Sequence, residues 1–402
     1  VVNNLTIKPV FAGRKKFMAL ELALVLINPY TLAKSRTGGV IGRFISRTGL
    51  EMVATRMYGP SMELCEKFAE VIRNTSTIEQ RIRDLLVAYV VKSYSPDPIT
   101  GRPNRVMMLL LEGEDAIQKV KDVAGSPITG GSESIRDTFG DYVTDENGDV
   151  RYFEPAVLVG SSLEDISATL KLWADFSVRD GGLIHSASDV NKIEGWEQTL
   201  VLIKPDNFRF PNARPGNIID LLSRSGLRII ASKIHRMSVK EAEEFYGPVR
   251  AVLCNKLANE VGERSAVALA KELAISIPDN LKRLLGEQLC AIYGEEQFNQ
   301  IVKFMTGIYP PNCSSEDKAK EGQSKCLALV YGGVNAVDKI RHLLGPTDPN
   351  KAQPGSVRRE FGHDIMVNAA HASDSVKSAE REIAIIRPEE DIVAEWTKRY
   401  YG

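Results

Sequence analysis

The sequence predicts an α/β (α+β) chain of two βαββαβ units with antiparallel sheets, the second carrying a helical insertion. Three observations lead there. Strand-length apolar runs alternate with amphipathic stretches, the pattern occurs twice in one register, and a helical stretch is set inside the second copy. At 402 residues the chain has room for two domains or more, each large enough for its own core.

The second copy shows its elements in order. Thr199 to Ile203 is a short apolar run and reads as a strand. Gly216 to Arg224 is amphipathic and reads as a helix, Leu227 to His235 as a strand, and Lys240 to Tyr246 as a helix. Cys326 to Tyr331 reads as a strand, Ala336 to Leu344 as a helix, Ile365 to Val367 as a short strand and Val376 to Ile386 as a helix. Ser373 and Asp374 are placed to cap that last helix. The order β-α-β, then β-α-β, is the ferredoxin-like pattern, an antiparallel sheet with helices on one face. Between Tyr246 and Cys326, Ala251 to Lys303 is mostly helical in pattern, and Tyr309 to Lys325 is rich in Pro, Ser and charge and reads as a loop.

The first copy follows from internal matches. Leu24-Val-Leu-Ile-Asn-Pro parallels Leu200-Val-Leu-Ile-Lys-Pro. Gly39, Ile41, Ser46, Arg47, Gly49, Leu50, Ala54 and Ser61 parallel Gly216, Ile218, Ser223, Arg224, Gly226, Leu227, Ala231 and Ser238 at constant spacing. Ser134-Ile-Arg136 parallels Ser356-Val-Arg358. The copies part where chemistry would lie: Lys204 becomes Asn28, Tyr246 aligns with Ala69, Arg341 becomes Lys121, and Leu158 takes the place of His371. A retained fold with lost catalysis accounts for this; an unrelated α/β domain would not account for the constant register.

Composition excludes several classes. Formal net charge is -1, from 51 basic and 52 acidic residues, so no global electrostatic case exists for nucleic acid or an anionic membrane. No apolar run approaches the ~20 residues that span a bilayer. No signal peptide is visible, although the first residue is Val1, which leaves a trimmed start open. Five scattered cysteines without a C-x-x-C pair argue for reduced thiols in a cytoplasmic protein, against a zinc site or disulfide framework. Gly125 to Ser132 imitates a phosphate loop but has Gly131 where the lysine belongs. Asp145 to Asp149 lacks the later ligands of a calcium loop, and its Asn147-Gly148 reads as a hairpin turn.

His371 lies in Asn-Ala-Ala-His-Ala-Ser-Asp-Ser, between an apolar run and a helical pattern. An imidazole beside a helix start, where backbone N–H groups favour anions, suits phosphoryl transfer. Most lone histidines are structural, so this octapeptide alone is weak. Further blocks add to it: Val201-Leu-Ile-Lys204-Pro-Asp206, Ser225-Gly-Leu, Asn335 to Pro349 with Arg341 and Thr347, Pro354-Gly-Ser-Val-Arg358, and Ser378-Ala-Glu-Arg-Glu382-Ile. In this order they resemble nucleoside diphosphate kinase over roughly Thr199 to Pro388, two insertions apart. The family usually has Gly where this chain has Ala372.

The resemblance implies transfer of the terminal phosphate of a nucleoside triphosphate to a nucleoside diphosphate, by a ping-pong mechanism through phosphorylated His371. It implies that Glu382 helps orient the attacking side of the imidazole, supported by Ser373, with Tyr246 beside the ring. Arg341, Thr347 and Arg358 match phosphate-binding positions, and Lys204 and Asn368 match residues that hold the sugar hydroxyl and the transferred group. Phe298 matches the segment that presents an aromatic ring to the base, although plain helix core is an equal reading. Arg341 and Arg358 taken singly could be surface charges. Mg²⁺ is the expected cofactor, bound mainly through the nucleotide phosphates, so no protein metal motif is expected. A nucleotide-binding sensor with little turnover is the alternative, and a pure scaffold a third reading. The expected division is 1–175 as a degenerate kinase-like domain, 176–197 as linker, and 198–402 as the kinase domain, with insertions at about 249–295 and 308–325. Two fused copies can supply a dimer-like contact within one chain, with a homo-oligomer still possible.

Overall fold

The computed structural model describes residues 20–128, 133–184 and 193–402. The first half runs β1 (Glu21–Ile27), α1 (Pro29–Ala33), α2 (Thr37–Thr48), β2 (Glu51–Tyr58), α3 (Met62–Asn74), α4 (Gln80–Ser93), β3 (Val106–Gly113), α5 (Ala116–Ala124), α6 (Ile135–Phe139), β4 (Asp141–Thr144), β5 (Val150–Glu154), β6 (Val157–Val159), α7 (Leu163–Asp175) and α8 (Ser177–Asp180). The second runs β7 (Trp196–Ile203), α9 (Arg214–Ser223), β8 (Arg228–His235), α10 (Val239–Phe245), α11 (Gly247–Lys256), α12 (Ala258–Leu273), α13 (Asp279–Thr306), β9 (Cys326–Val334), α14 (Ala336–Leu344), α15 (Val357–Phe361), β10 (Ala370–Ala372), α16 (Val376–Ile386) and α17 (Val393–Tyr401).

Each half builds a four-stranded sheet, β2-β3-β1-β6 and β10-β7-β9-β8, antiparallel throughout. Read in chain order these are the same topology, the ferredoxin-like one. β4 and β5 form a separate hairpin across Asp145–Asp149. Segment 1–19, the tip Gly130-Gly131-Ser132 of the phosphate-loop look-alike and linker residues 185–192 lie outside the described residues.

Helices cover both faces of each sheet, a correction to the expected single covered face. In β7, Leu200 and Leu202 pack with α10, α13 and α16, whereas Val201 and Ile203 face α9 and α14. The physical reason lies in strands such as Leu-Val-Leu-Ile, continuous apolar runs rather than alternating ones. The expected strand at 365–367 is also corrected. Those residues bend, Asp364 Oδ1 accepting from the N–H groups of Met366 and Val367, and the edge strand is Ala370–Ala372. The stretch 309–325 carries two short 3-10 turns within its loop.

Serine caps begin matching helices in both halves. Ser61 opens α3, and Ser238 opens α10 with a capping box closed by Glu241. Ser162 opens α7 and Ser375 opens α16. The cap of α16 is therefore Ser375, not Ser373 or Asp374.

The halves meet along equivalent elements. Thr55 Oγ1 of β2 lies 3.0 Å from Ser232 Oγ of β8. Helices α2 and α9 cross so closely that a Cβ on Gly38 would lie 2.2 Å from Gly216 O, and one on Gly216 2.2 Å from Gly38 O. Only glycine permits that approach. The segment after α7 reaches the second sheet, where Ile184 N donates to Ile230 O at 2.9 Å. In return α17 crosses to the first half, and Tyr401 Oη donates to Leu22 O at 2.6 Å. Among the described residues no helix is long and apolar enough to cross a membrane, and the five cysteines are free thiols.

Candidate active site

Edge strand β10 places His371 opposite Leu202 of β7. The chain enters β10 through Ala369 at φ +69°, an uncommon conformation for a residue with a side chain, pinned by Lys204 N donating to Ala369 O at 2.9 Å. Helix α16 then brings Glu382 back beside the strand. His371 Nε2 lies 2.9 Å from Glu382 Oε2, and Ser373 Oγ donates to the same oxygen at 2.7 Å. Glu382 is buried, and an ionised carboxylate there needs these donors. His371 Nδ1 has no hydrogen-bond partner among the described residues. Glu382 therefore orients the ring from Nε2 and leaves Nδ1 unengaged. The Phe245 ring stands edge-on to the imidazole at 5.0 Å and Tyr246 at 6.1 Å.

His371, Glu382, Tyr246, Arg341, Thr347 and Arg358 line one cavity of about 840 Å³. That size falls within the roughly 300–1,000 Å³ of ligand pockets. Its lining carries five cationic side chains, Arg224, Arg341, Lys351, Arg358 and Arg381, against two carboxylates, Asp374 and Glu382. The balance favours a polyanion. Arg341 is exposed and has no hydrogen-bond partner among the described residues, so its guanidinium fork is available. Arg358 is partly committed: it donates to Gly345 O at 2.8 Å and Ala370 O at 3.2 Å, while its Nε has no partner. Burial, followed by the charge of Arg341, lowers the Arg358 guanidinium to about 10. Burial also pushes the unpartnered Tyr246 hydroxyl well above the ordinary tyrosine value.

Lys204 and Asn368 sit one layer behind this wall. Lys204 Nζ donates to Asn368 Oδ1 at 2.7 Å, and Asn368 Nδ2 donates to Thr347 O at 3.1 Å. Burial, then the charge of Arg358, brings the Lys204 ammonium down to about 8. Phe298 does not join the site, which corrects its expected place at the base. It is 1% exposed and packs with Val302 and Met305 on the inward stripe of α13, under the guanidinium of Arg250 at 5.2 Å. The uninterrupted 28-residue helix turns positions 298, 302 and 305 to one side.

Sequence reasoning assigned no role to Phe245 or Arg381, both in the cavity wall. Their only signal is adjacency to Tyr246 and Glu382. Among the described residues no cluster of three His, Cys, Asp or Glu side chains could hold a metal ion. The cavity does offer the Asp374 carboxylate, held below its usual range by its Ser378 hydrogen bond and also by Arg341.

The sequence pattern of the family described as "Nucleoside diphosphate kinase" matches residues 197–252 and 291–392. The stretch between them falls in α11–α13. The nucleoside diphosphate kinase of Chlamydia trachomatis serovar D (strain ATCC VR-885 / DSM 19411 / UW-3/Cx) is 32% identical over 197 residues, covering 49% of this chain and 96% of that protein. That of Staphylothermus marinus is 28% identical with the same coverage. A solved structure of an NDP kinase from Pyrobaculum aerophilum is 28% identical, covers 47% of this chain and 94% of that one, and has a TM-score of 0.33. A relative matched at 32% identity over nearly its whole length decides the point: the chain belongs to the nucleoside diphosphate kinase family.

Proposed function

We propose that the chain transfers the terminal phosphoryl group of a nucleoside triphosphate to a nucleoside diphosphate through phosphorylated His371. The observation that carries this is the pairing of a His371 ring held at Nε2 by Glu382 with a strongly cationic cavity. With Nε2–H donated to Glu382, the Nδ1 lone pair attacks the terminal phosphorus in line. The P–N bond forms as the P–O bond to the leaving diphosphate breaks. A second diphosphate reverses the step, its terminal oxygen taking the phosphoryl group. Such transfers depend chiefly on positioning and charge stabilisation. Arg341 and Arg358 fork onto phosphate oxygens, Thr347 offers a hydroxyl, and Lys204 with Asn368 backs them with a buried ammonium. The cofactor expected here is Mg²⁺, which when bound would supply positive charge to offset that of the phosphates. Of the two cavity carboxylates, Asp374 is the one that would hold it, since Glu382 is committed to His371 and Ser373 while Asp374 accepts only from hydroxyls of its own loop and helix start.

In this reading 1–175 is the same unit without the chemistry, 176–197 the connection, and 198–402 the active unit. Support comes from the registers: Leu158 pairs with Leu26 as His371 pairs with Leu202. The two units form a dimer-like pair inside one chain, supported by the contact of Thr55 with Ser232 and of α2 with α9. Terminally labelled ATP should leave an acid-labile phosphate on the protein that GDP discharges within one turnover. Label that never loads, or that loads and is not discharged, overturns the reading.

A further inference from the structure

Glu382 has a third partner besides His371 and Ser373. Arg381 is its neighbour on α16, yet its guanidinium folds back over the carboxylate. Arg381 Nη2 donates to Glu382 Oε1 at 3.3 Å and to Phe245 O at 3.2 Å, while Nη1 donates to Glu244 O at 3.1 Å. One side chain therefore joins the end of α10, whose Phe245 ring flanks the imidazole, to the carboxylate that holds Nε2. Arg381 is half-buried and lies in the cavity wall.

We propose that Arg381 is a positioning residue for the phosphoryl transfer: by sharing the charge of Glu382 it keeps His371 in the neutral, Nε2–H form and holds the α10 wall against the ring. The inference rests on the phosphohistidine reading above. The physical argument concerns counter-charge. Glu382 is buried, so its carboxylate needs compensation. Around it stand His371 of β10, Ser373 just after that strand, Arg381 from α16 and Tyr246 from the end of α10, and Arg381 is the permanent cation among them. Without it, the remaining route to compensation is a proton drawn onto the imidazole. That proton occupies Nδ1, the nitrogen that must attack. Loss of Arg381 also leaves the Glu244 and Phe245 carbonyls and Glu382 Oε1 without this donor.

The test uses the full chain and four proteins: wild type, Arg381→Met, Arg381→Lys and Arg381→Ala. Wild type must first take up acid-labile phosphate from labelled ATP; if it does not, the functional reading fails by itself, and the imidazole measurement below still judges Arg381. Arg381→Met is expected to lower kcat roughly ten- to hundredfold, the scale of one lost hydrogen bond to a charged group, with KM changed less than about twofold. Guanidinium added to Arg381→Ala should restore part of the rate, which a merely structural loss would not allow. Nitrogen NMR of labelled His371 should show the Nε2–H tautomer in wild type and a protonated or mixed ring in Arg381→Met at the same pH. A raised KM with intact kcat would make Arg381 a substrate-binding group and overturn the proposal. So would an unchanged tautomer. Should Arg381→Met fail to fold, Arg381→Lys decides: it keeps the charge but lacks the three-way fork, so an intermediate kcat supports the proposal and a wild-type kcat refutes it.

Discussion

The edge strands β6 and β10 occupy equivalent places and carry very different side chains. Both enter through a left-handed alanine, Ala156 at φ +58° and Ala369 at φ +69°. Each alanine carbonyl accepts from the next segment of the central strand: Asn28 N donates to Ala156 O at 3.1 Å, and Lys204 N to Ala369 O at 2.9 Å. Each strand is also held by an arginine, Arg136 on Val157 O at 3.2 Å and Arg358 on Ala370 O at 3.2 Å. The side chains then diverge. Counting along from the paired strands, Leu158, Gly160 and Thr169 stand where His371, Ser373 and Glu382 do. A Cβ on Gly160 would lie 2.0 Å from Ile166 Cγ1, so the serine's place is filled with hydrocarbon. Asn28 stands where Lys204 does, tied to Glu154 at 3.0 Å, whose carboxylate also accepts from Tyr89 at 2.6 Å. Backbone devices are kept because the strand needs them whether or not chemistry follows. The proposed chemistry rests on side chains that the strand can do without.

The most severe break of that comparison is at the paired positions. His371→Gln should reduce phosphoenzyme formation at least about a thousandfold, since no nearby group replaces a nucleophile. Leu158→His should create no phosphoenzyme, because Gly160 and Thr169 offer no carboxylate to fix its tautomer. Label counted on acid-sensitive gels checks both. Loading of the Leu158→His protein at a second site would show that position alone suffices.

The next prediction separates the two arginines. Arg136→Met and Arg358→Met each remove hydrogen bonds to strand carbonyls and should each cost about 1–3 kcal/mol of stability. Only Arg358→Met should also lower phosphoryl transfer per folded molecule. Denaturant melts alongside single-turnover rates test this. A loss of rate in Arg136→Met at full folding would mean that the first half takes part in the chemistry.

How far the sequence carried depended on what sets each feature. Strand and helix identities in the second half, α14 and α16 down to their ends, were legible because apolar periodicity and local stop signals determine them. The substitution of Leu158 for His371 was legible because register propagates along a strand. Phe298 was not: the motif around it suggests a ligand, but which way a long helix turns is decided by tertiary packing. Two-sided burial of the sheets was written in the unbroken apolar strands and missed in favour of the topology's usual picture. Arg381 left no signal beyond its place next to Glu382, since its three acceptors include two carbonyls on another helix that only the fold brings near.

A smaller effect distinguishes Lys204 from its counterpart Asn28, which cannot titrate. Burial brings Lys204 from 10.5 to about 8, so below that pH it is charged in both folded and unfolded chains. Between about 8 and 10.5 the folded lysine is neutral while the unfolded one stays charged, and unfolding takes up a proton. This group's contribution to stability therefore rises with pH across that window. In the proposed mechanism the ammonium backs the phosphate site, so kcat/KM should fall over the same range, by up to about tenfold per pH unit if one proton is involved. Opposite slopes of stability and kcat/KM are the signature. Parallel slopes would remove Lys204 from the phosphate site.

The smallest expected effect tests whether the two halves pair as equivalents. Thr55 and Ser232 meet at 3.0 Å, both buried, from strands related by the internal repeat. Hydroxyls in mutual contact away from water should couple, because removing one leaves the other unpaired, whereas removing both leaves neither stranded. Thr55→Val and Ser232→Ala should each destabilise the chain, and the double variant by less than their sum. The coupling expected is about 1 kcal/mol, or roughly fivefold in the unfolding equilibrium. Urea melts of the four proteins measure it. Strict additivity would mean that this contact contributes nothing to joining the halves, and the case for a dimer-like pair would then rest on the glycine crossing of α2 and α9 alone.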